Sequence, residues 1–382
     1  MTEPISFESQ VNKNSKEWQF LLTNLKKQID KKSKAVIKSG DDLQHLLVGD
    51  FVTTGSMNLD IIMNGGVVPG RIYEYFGAES SGKTTMALIQ VKKFQLTDPR
   101  KAVIIDAEHS LNLSHILDLN IDTSRLVVVK PDTGEEAMVL AETIIKSGLA
   151  SIVVLDSIAA LVPKDEQDKG LDAATMGKLG ALMSKTLRSF SQKCDDARTT
   201  FLMINQIRST MAMYGPPETS PGGWAQKFFS TGRLKVKRVG FITDKNKEII
   251  GQEIEVTVEK NKLGPAKRSC VIRFIYGQQE FEVLEEVADI ILKIPNSGLI
   301  AAGAWIKAVT NMETEETVVL GQGKSSLVEL FRNNPAFFEE AKRRISAYYK
   351  EVPSARPNVK FDPFNLEEIK QPSDEVSEPT QE

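Results

Sequence analysis

The sequence has few of the features that mark secreted or membrane-spanning proteins. It contains only two cysteines, Cys194 and Cys270, which lie far apart and lack metal-ligand spacing, so a reducing compartment is the simple expectation. No run reaches the roughly 18 apolar residues of a membrane-spanning helix. Residues 1–20 are polar and lack the apolar centre of a signal peptide. These absences predict a cytoplasmic protein.

An excess of positive charge is also lacking, because the formal net charge is -3 at pH 7. Any nucleic-acid site must therefore be a local basic patch on an otherwise acidic surface. The composition, with 41% hydrophobic and 26% charged residues, excludes disorder of the whole chain. The 382 residues are enough for one large domain or two to three ordinary ones.

Residues 77–85 match the pattern G-x-x-x-x-G-K-[ST], the phosphate-binding P-loop. The apolar run 72–76 predicts a strand before the loop, and residues 84–96 have apolar side chains near helical spacing. In that context backbone N–H groups can surround phosphate oxygens, with Lys83 on the β/γ-phosphates and the Thr84 hydroxyl on Mg²⁺. A Gly/Ser turn with an exposed lysine is the disfavoured alternative. The predicted nucleotide contacts are Gly77, Glu79, Ser80, Ser81, Gly82, Lys83, Thr84 and Thr85.

Strands and helices alternate along the middle of the chain. Strands are predicted at 101–106, 151–156 and 198–205, and helices at 135–147 and 176–192. This alternation is typical of βαβ units, and it predicts an α/β fold with a mostly parallel sheet covered on both faces. Ligands of such sheets gather at the carboxyl ends of the strands. The polar residues at these ends are Asp106, Asp156 and Asn205.

Two strand ends carry carboxylates that suit ATP chemistry. Asp156 follows an apolar strand beyond the P-loop, where a carboxylate holds the Mg²⁺ shell. Glu108 can orient and deprotonate the water that attacks the γ-phosphate. We prefer Glu108 to Asp106 because it lies further beyond the strand end, nearer the ligand side. The alternative is that both carboxylates simply cap a strand end.

Taken together, the motifs resemble the RecA family of bacterial DNA-strand-exchange recombinases. The resemblance runs from about residue 35 to residue 349. The motifs that carry it, in the family's order, are 77–85, 106–109, 205–208, 217–223 and 260–262. It implies a P-loop NTPase core of RecA type, with a small N-terminal helical element and a small α+β C-terminal domain.

The resemblance implies roles for residues around the nucleotide. Glu108 is similar to the catalytic glutamate, and Gln206 to the glutamine that senses the γ-phosphate. Lys260 and Lys262 resemble a pair that reaches the γ-phosphate of the adjacent subunit. Without the resemblance we would interpret these two lysines as the solvated charges of an exposed hairpin. His115 stands beside the implied adenine site, where relatives often have a tyrosine.

The resemblance also implies DNA contacts in two loops, 163–174 and 207–223. Loops this long inside a compact domain are usually functional or mobile. Arg208 offers a phosphate contact, while Met211 and Tyr214 offer apolar surface for insertion or stacking. Any single arginine here could equally be a solvated surface charge. The implied DNA-binding residues are Met176, Arg188, Arg208, Met211, Tyr214, Gly222, Gly223 and Arg233.

Four parts of the chain are expected: an N-terminal oligomerisation element at 1–50, the ATPase core at 51–280, a small C-terminal domain at 281–350 and a disordered acidic tail at 351–382. The apolar face within 1–50 needs a cover, either its own core or another subunit, and the resemblance favours the neighbouring subunit. Helices are predicted at 281–293 and 324–349, around a loop-rich middle. The tail could serve solubility or regulation equally well.

The expected function is that of an ATP-dependent homologous recombinase. It would form helical filaments on single-stranded DNA with ATP and Mg²⁺, search duplex DNA for homology and exchange strands. Its partners would be single- and double-stranded DNA and other copies of itself, with single-strand-binding and loader proteins as further candidates and no membrane. The alternatives are a hexameric RecA-fold helicase and a non-hydrolysing regulator. Departures from the family pattern at Asn112, His115, Ala181 and Trp224 indicate a divergent member, encoded by a cell or a phage.

Overall fold

The computed structural model of the chain describes residues 20, 51–164, 177–209, 218–219, 221–311, 314 and 316–350. The chain divides into two units, residues 1–50 and 51–382. The labelled helices and strands all belong to the second unit. The predicted N-terminal element and acidic tail lie outside the described residues, apart from Phe20. Most of the predicted first DNA loop also lies outside them.

The strands, in chain order, are β1 (Ile72–Gly77), β2 (Lys101–Asp106), β3 (Leu126–Val129), β4 (Ala150–Asp156), β5 (Thr200–Gln206), β6 (Arg208–Ser209), β7 (Glu218–Thr219), β8 (Gly232–Thr243), β9 (Ile249–Asn261), β10 (Arg268–Ile275), β11 (Leu299–Ala302), β12 (Trp305–Asn311) and β13 (Glu316–Gln322). The helices are α1 (Met57–Met63), α2 (Lys83–Thr97), α3 (Leu113–Asp118), α4 (Gly134–Ser147), α5 (Lys178–Ala197), α6 (Ala225–Phe229), α7 (Val283–Ile291), α8 (Gly323–Asn333) and α9 (Pro335–Lys350). Short 3-10 turns lie at Thr123–Arg125 and Ile158–Ala160.

An eight-stranded sheet forms the centre of the fold, in the order β10-β9-β8-β1-β5-β4-β2-β3. The strands from β8 to β3 run parallel to one another, whereas β9 and β10 are antiparallel additions at one edge. The carboxyl ends of the parallel strands therefore meet at one edge of the sheet. In the register, Gly77 lies opposite Gln206 and Asp106 lies opposite Asp156.

Each face of the sheet has its own apolar core. On one face the P-loop helix α2 packs Met86, Ile89 and Phe94 against the strands. On the other, α4 and α5 cover the sheet, and Phe190 meets Phe201 edge-on with ring centroids 5.1 Å apart. Because both faces are buried, the central strands consist largely of apolar residues. This arrangement confirms the predicted α/β fold class with its mostly parallel sheet.

The C-terminal part has a third core, built by α7, α8, α9 and the antiparallel sheet β11-β12-β13. Two details differ from the expectation. The segment around Trp305 forms short paired strands, not loops, because alternate residues such as Ile306 and Ala308 are buried. The predicted helix at 324–349 is two helices, since Pro335 disfavours helical backbone at Asn334 and begins α9.

Candidate nucleotide-binding site

The P-loop joins the end of β1 to the start of α2 and passes very close to β8. A side chain at Gly77 would bring its Cβ within 2.0 Å of the Val236 carbonyl oxygen, so only glycine fits there. Gly82 is the N-cap of α2 and has a φ of 96°, a left-handed conformation that favours glycine. The first turn of α2 thus begins without a side-chain cap, so its N–H groups can bind phosphate.

Lys83 folds back over the loop. Its Nζ donates a hydrogen bond to the carbonyl oxygen of Ala78 at 2.6 Å, and the Ser81 hydroxyl lies 3.5 Å away. Burial lowers the pKa of Lys83, while the negative charges of Asp156, Glu108 and Glu79 oppose that change. The ammonium group is therefore held inside the loop, where phosphate oxygens would replace the Ala78 carbonyl as its partner.

Thr84 and Asp156 lie together beneath the P-loop. The Thr84 hydroxyl donates to Asp156 Oδ2 at 2.9 Å. Burial, followed by the nearby charges of Glu108 and Asp106, raises the pKa of Asp156 to about 6. A hydroxyl and a carboxylate are the hard oxygen ligands that Mg²⁺ prefers, alongside waters and phosphate oxygens. The described residues contain no cluster of three or more His, Cys, Asp or Glu side chains for a metal ion, so phosphate and water would have to complete this Mg²⁺ site.

Glu108 faces the end of β5. Its Oε1 accepts hydrogen bonds from Gln206 Nε2, at 3.0 Å, and from the hydroxyl of Ser157. Asp106 differs, since its carboxylate accepts from the backbone N–H groups of Ser110 and Leu111 and is 1% exposed. Asp106 therefore stabilises the loop that follows β2, whereas Glu108 is partly exposed and lies nearer the P-loop side. The sequence analysis did not predict the contact of Ser157 with Glu108. Its only signal was the position of Ser157 directly after Asp156.

A cleft of about 220 Å³ lies beside α3 and the end of β10. His115 and Asn112 line one side, and Phe274 and Tyr276 line the other. The Asn112 side chain accepts from the backbone N–H of Ser114 and caps α3. Phe274 lies opposite Gln252 in the register of β10 and β9, and Gln252 lies near Gly82 of the P-loop. Tyr276 was missed from the sequence, where its signal was an aromatic residue at a strand end before Gly277.

Comparison with known proteins agrees with this geometry. The family model described as the RecA N-terminal domain matches residues 16–280. Protein RecA from Aquifex aeolicus (strain VF5) is 36% identical over 338 residues, which are 88% of this chain and 93% of that protein. Protein RecA from Aquifex pyrophilus is 39% identical over 299 residues, 78% of this chain and 82% of that protein. Protein RecA from Caulobacter vibrioides (strain NA1000 / CB15N) is 38% identical over 308 residues, 79% and 83% respectively.

The chain belongs to the RecA family. This confirms the resemblance carried by the motifs, and it makes the chain a member of a family of recombinase ATPases. Among the described helices, none is long and apolar enough to cross a membrane.

The predicted second DNA loop, residues 207–223, begins directly beside the P-loop. The backbone N–H of Ile207 donates to the carbonyl oxygen of Gly77, the first P-loop glycine, at 3.1 Å. Beyond it, β6 and β7 form a two-stranded stem that closes the loop, with Arg208 opposite Thr219. The loop therefore starts at the P-loop and returns on its own stem to Pro221.

The predicted DNA-binding residues lie in different surroundings. Gly222 and Gly223 follow the stem with φ values of 87° and 74°, and Arg188 is exposed on α5. Arg233 is 9% exposed and forms an ion pair with Glu74, so its charge is satisfied within the subunit and a DNA contact by Arg233 stays a prediction. Only the backbone of Arg208 is described. Met176, Met211 and Tyr214 lie outside the described residues.

Lys260 and Lys262 lie at the end of β9 and just beyond it. Lys260 Nζ donates to the carbonyl oxygens of Lys227, at 2.6 Å, and of Phe228, at 2.9 Å. Burial lowers the pKa of Lys260, and the charges of Lys262 and Arg233 add to that effect. Lys262 is exposed. Within one subunit Lys260 thus holds the last turn of α6, the helix that follows the second loop.

Proposed function

We propose that this RecA family member is an ATP-dependent homologous recombinase that forms helical filaments on single-stranded DNA and exchanges strands with homologous duplex DNA. The contact between Gln206 and Glu108 is the observation that carries the proposal. It connects the residue proposed to activate water with the strand end that begins the second loop. Nucleotide contact at Gln206 would therefore change the DNA affinity of that loop.

ATP binding rests on the loop 77–85 and the amino end of α2. Backbone N–H groups surround the phosphates, and Lys83 leaves the Ala78 carbonyl to bind β- and γ-phosphate oxygens. Thr84 and Asp156 hold Mg²⁺, which neutralises charge that develops on the phosphates. Because Asp156 is buried, its carboxylate is poorly hydrated, so pairing with a cation is more favourable than it would be for an exposed carboxylate.

Hydrolysis rests on Glu108. Its carboxylate accepts a proton from the attacking water, while the hydrogen bond from Ser157 holds its orientation. When the γ-phosphate is present, Gln206 can exchange its bond to Glu108 for one to a phosphate oxygen. Loss of the phosphate after hydrolysis would restore the bond to Glu108, and DNA would be released.

We infer that the adenine base would bind in the cleft that His115 and Tyr276 line. Two ring systems that face one cleft can stack on a purine, and His115 is half-buried there, with burial lowering its pKa. The neutral imidazole stacks without a charge to desolvate. The departure from tyrosine at 115 is thus compatible with base binding, with Tyr276 supplying the larger aromatic surface.

Self-assembly is supported by the open edge of the sheet. β3 is the last strand at that edge, and its neighbouring residues Val127 and Val128 are both exposed, at 37% and 41%. Leu126 and Val129, at the two ends of β3, pack against the cores of the sheet. Its two middle residues stay exposed, and an open strand edge of this kind can pair with another chain. A head-to-tail contact that does not close generates a filament, and it would bring Lys260 and Lys262 toward the neighbour's γ-phosphate.

Electron microscopy of the protein with single-stranded DNA, Mg²⁺ and a non-hydrolysable ATP analogue tests the proposal. Open helical filaments that require the nucleotide are the expected result. Closed rings would favour the hexameric helicase, and no assembly at all would favour the non-hydrolysing regulator. Lys83→Ala, which lacks the phosphate-binding ammonium, is the control that should not assemble.

A further inference from the structure

Glu74 is a buried carboxylate with no part in the chemistry described so far. It lies in the middle of β1, three residues before Gly77, and its side chain is 0% exposed. Its partner is Arg233, which lies opposite it in the register of β1 and β8 and pairs with Glu74 Oε2. The Arg233 guanidinium also lies 4.4 Å above the ring of Phe76. Burying two charges is unfavourable unless each finds good partners, so stability alone does not explain the pair.

Asn205 is the third member of this group. Its Nδ2 donates to Glu74 Oε1 at 2.9 Å and to the carbonyl oxygen of Pro221 at 3.1 Å. Its Oδ1 accepts from the backbone N–H of Gln206 at 2.9 Å. Both partners of the amino group are acceptors only, and the partner of the oxygen is a donor only, so the orientation of the amide is fixed. An aspartate at 205 would place carboxylate oxygens against Glu74 Oε1 and the Pro221 carbonyl oxygen, which are also acceptors.

This amide joins the two ends of the second loop. Gln206 stands immediately before the loop and contacts Glu108, while Pro221 lies near the carboxyl end of the loop. The Pro221 carbonyl accepts a further bond from Gln226 Nε2 at 2.6 Å, which ties α6 to the same point. A shift of the Gln206 backbone relative to β1 would therefore strain the Asn205 amide that holds Pro221.

We propose that Glu74, Asn205 and Arg233 form an anchor that transmits the nucleotide state at Gln206 to the carboxyl end of the second loop. The three are positioning residues for DNA binding, and Arg233 acts by neutralising Glu74. The inference rests on the proposed function, because only an ATP-controlled DNA-binding protein has such a coupling. An apolar pair of similar volume would stabilise the sheet equally well, but it could not direct the Asn205 amide toward Pro221.

Two double variants distinguish the orientation of the Asn205 amide from the stability of the sheet. Glu74→Gln/Arg233→Gln keeps an acceptor for Asn205 and forms a neutral amide pair, whereas Glu74→Leu/Arg233→Leu is apolar and lacks the acceptor. Both remove the two charges together, so neither leaves a buried unpaired ion. The readout is the ratio of single-stranded DNA affinities with and without a non-hydrolysable ATP analogue and Mg²⁺. We expect the glutamine pair to keep the wild-type ratio within about threefold, and the leucine pair to lose roughly tenfold or more of it.

Hydrogen exchange of the free protein tests the anchor without DNA or nucleotide. Amides of residues 218–226 should exchange roughly tenfold faster in the leucine pair than in the glutamine pair, because Asn205 has lost the acceptor that directs its amide toward Pro221. Equal exchange in the two pairs, or equal coupling ratios, would overturn the anchor. A wild-type protein whose DNA affinity ignores the nucleotide would instead contradict the proposed function, together with the coupling role that depends on it.

Discussion

Gln206 donates a hydrogen bond of 3.0 Å from its Nε2 to Oε1 of Glu108 beside the P-loop. The amide ends β5, and the carboxylate lies just beyond β2, so the pair spans the carboxyl edge of the sheet across β4. Gln206 can donate to an entering γ-phosphate by giving up its bond to Glu108, which keeps the hydroxyl of Ser157 as a partner. In the proposed function, this competition would link hydrolysis to the second loop.

Separate substitutions should divide nucleotide binding from hydrolysis. Lys83→Ala should lose ATP binding, because its ammonium contacts the ground-state phosphates. Glu108→Gln should bind ATP and lower the turnover rate by roughly 10²–10⁴-fold, the usual contribution of a general base, and its DNA complex should persist. Equilibrium binding of a fluorescent ATP analogue and steady-state phosphate release measure the two effects. Wild-type turnover in Glu108→Gln would show that another group activates the water.

The second loop should carry DNA affinity that depends on salt. Arg208→Ala/Tyr214→Ala should weaken binding to single-stranded DNA and reduce DNA-stimulated ATP hydrolysis more than hydrolysis without DNA. Losing one phosphate contact should also lower the slope of log affinity against log salt by about 0.7. Arg332→Ala, which removes an exposed charge from α8, is the matched control for charge. Unchanged DNA affinity in the double variant would exclude the loop 207–223 from the DNA site.

Lys260 should act across the subunit interface, which requires it to leave the carbonyl groups of Lys227 and Phe228. Lys260→Ala/Lys262→Ala and Glu108→Gln should each hydrolyse ATP poorly. Mixed in equal amounts, they should regain activity, since roughly a quarter of head-to-tail interfaces would pair an intact Glu108 with intact lysines. ATPase assays on filaments whose co-assembly is established with labelled subunits measure this.

The control for that mixture is Glu108→Gln combined with the triple variant Glu108→Gln/Lys260→Ala/Lys262→Ala. Its interfaces never contain an intact Glu108, so its activity should stay at the level of Glu108→Gln. If the first mixture co-assembles and gains nothing over its separate components, the lysines act within their own subunit, where Lys260 already holds α6.

Stability should decline as the pH rises through the titration of Glu286. This buried carboxylate on α7 accepts from the Ser56 hydroxyl at 3.0 and 2.9 Å, and burial raises its pKa from 4.5 to about 7. The native state therefore binds the proton more tightly than the unfolded chain. The resulting stabilisation is complete below pH 4.5 and lost as the pH rises to about 7, at most about 3 kcal/mol. Glu286→Gln should flatten this part of the profile in urea denaturation between pH 4.5 and 8, and an identical decline in both proteins would refute the assignment.

The sequence predicted the site residues that lie at the carboxyl ends of the strands. Asp106, Asp156 and Asn205 each follow a long apolar run, so their shared edge was foreseeable from the βαβ pattern. The four-residue strand β3 was missed because so short an apolar run gives little signal. Likewise, Glu74 stood out only as a charge inside an apolar strand. Its partner Arg233 is 159 residues away, and only the pairing of β1 with β8 brings the two together.

Contacts between side chains from separate strands were the other part that could not be predicted. Ser157 reaches Glu108 because β2 and β4 are neighbours in exact register at Asp106 and Asp156. His115 and Tyr276 line the same cleft because β10, an antiparallel edge strand of the eight-stranded sheet, ends near α3. Sequence periodicity predicts which face of an element is buried, but it does not determine which strand lies next to which.

Strand exchange tests the central claim most directly. The protein, with ATP and Mg²⁺, is incubated with single-stranded DNA and a labelled homologous duplex, and transfer of the labelled strand is followed on a gel. We predict transfer that requires ATP, requires homology and is absent in Lys83→Ala. Separation of homologous and unrelated duplexes alike would indicate a helicase. Failure to transfer a strand under conditions where wild-type protein binds DNA and hydrolyses ATP would contradict the proposed recombinase function.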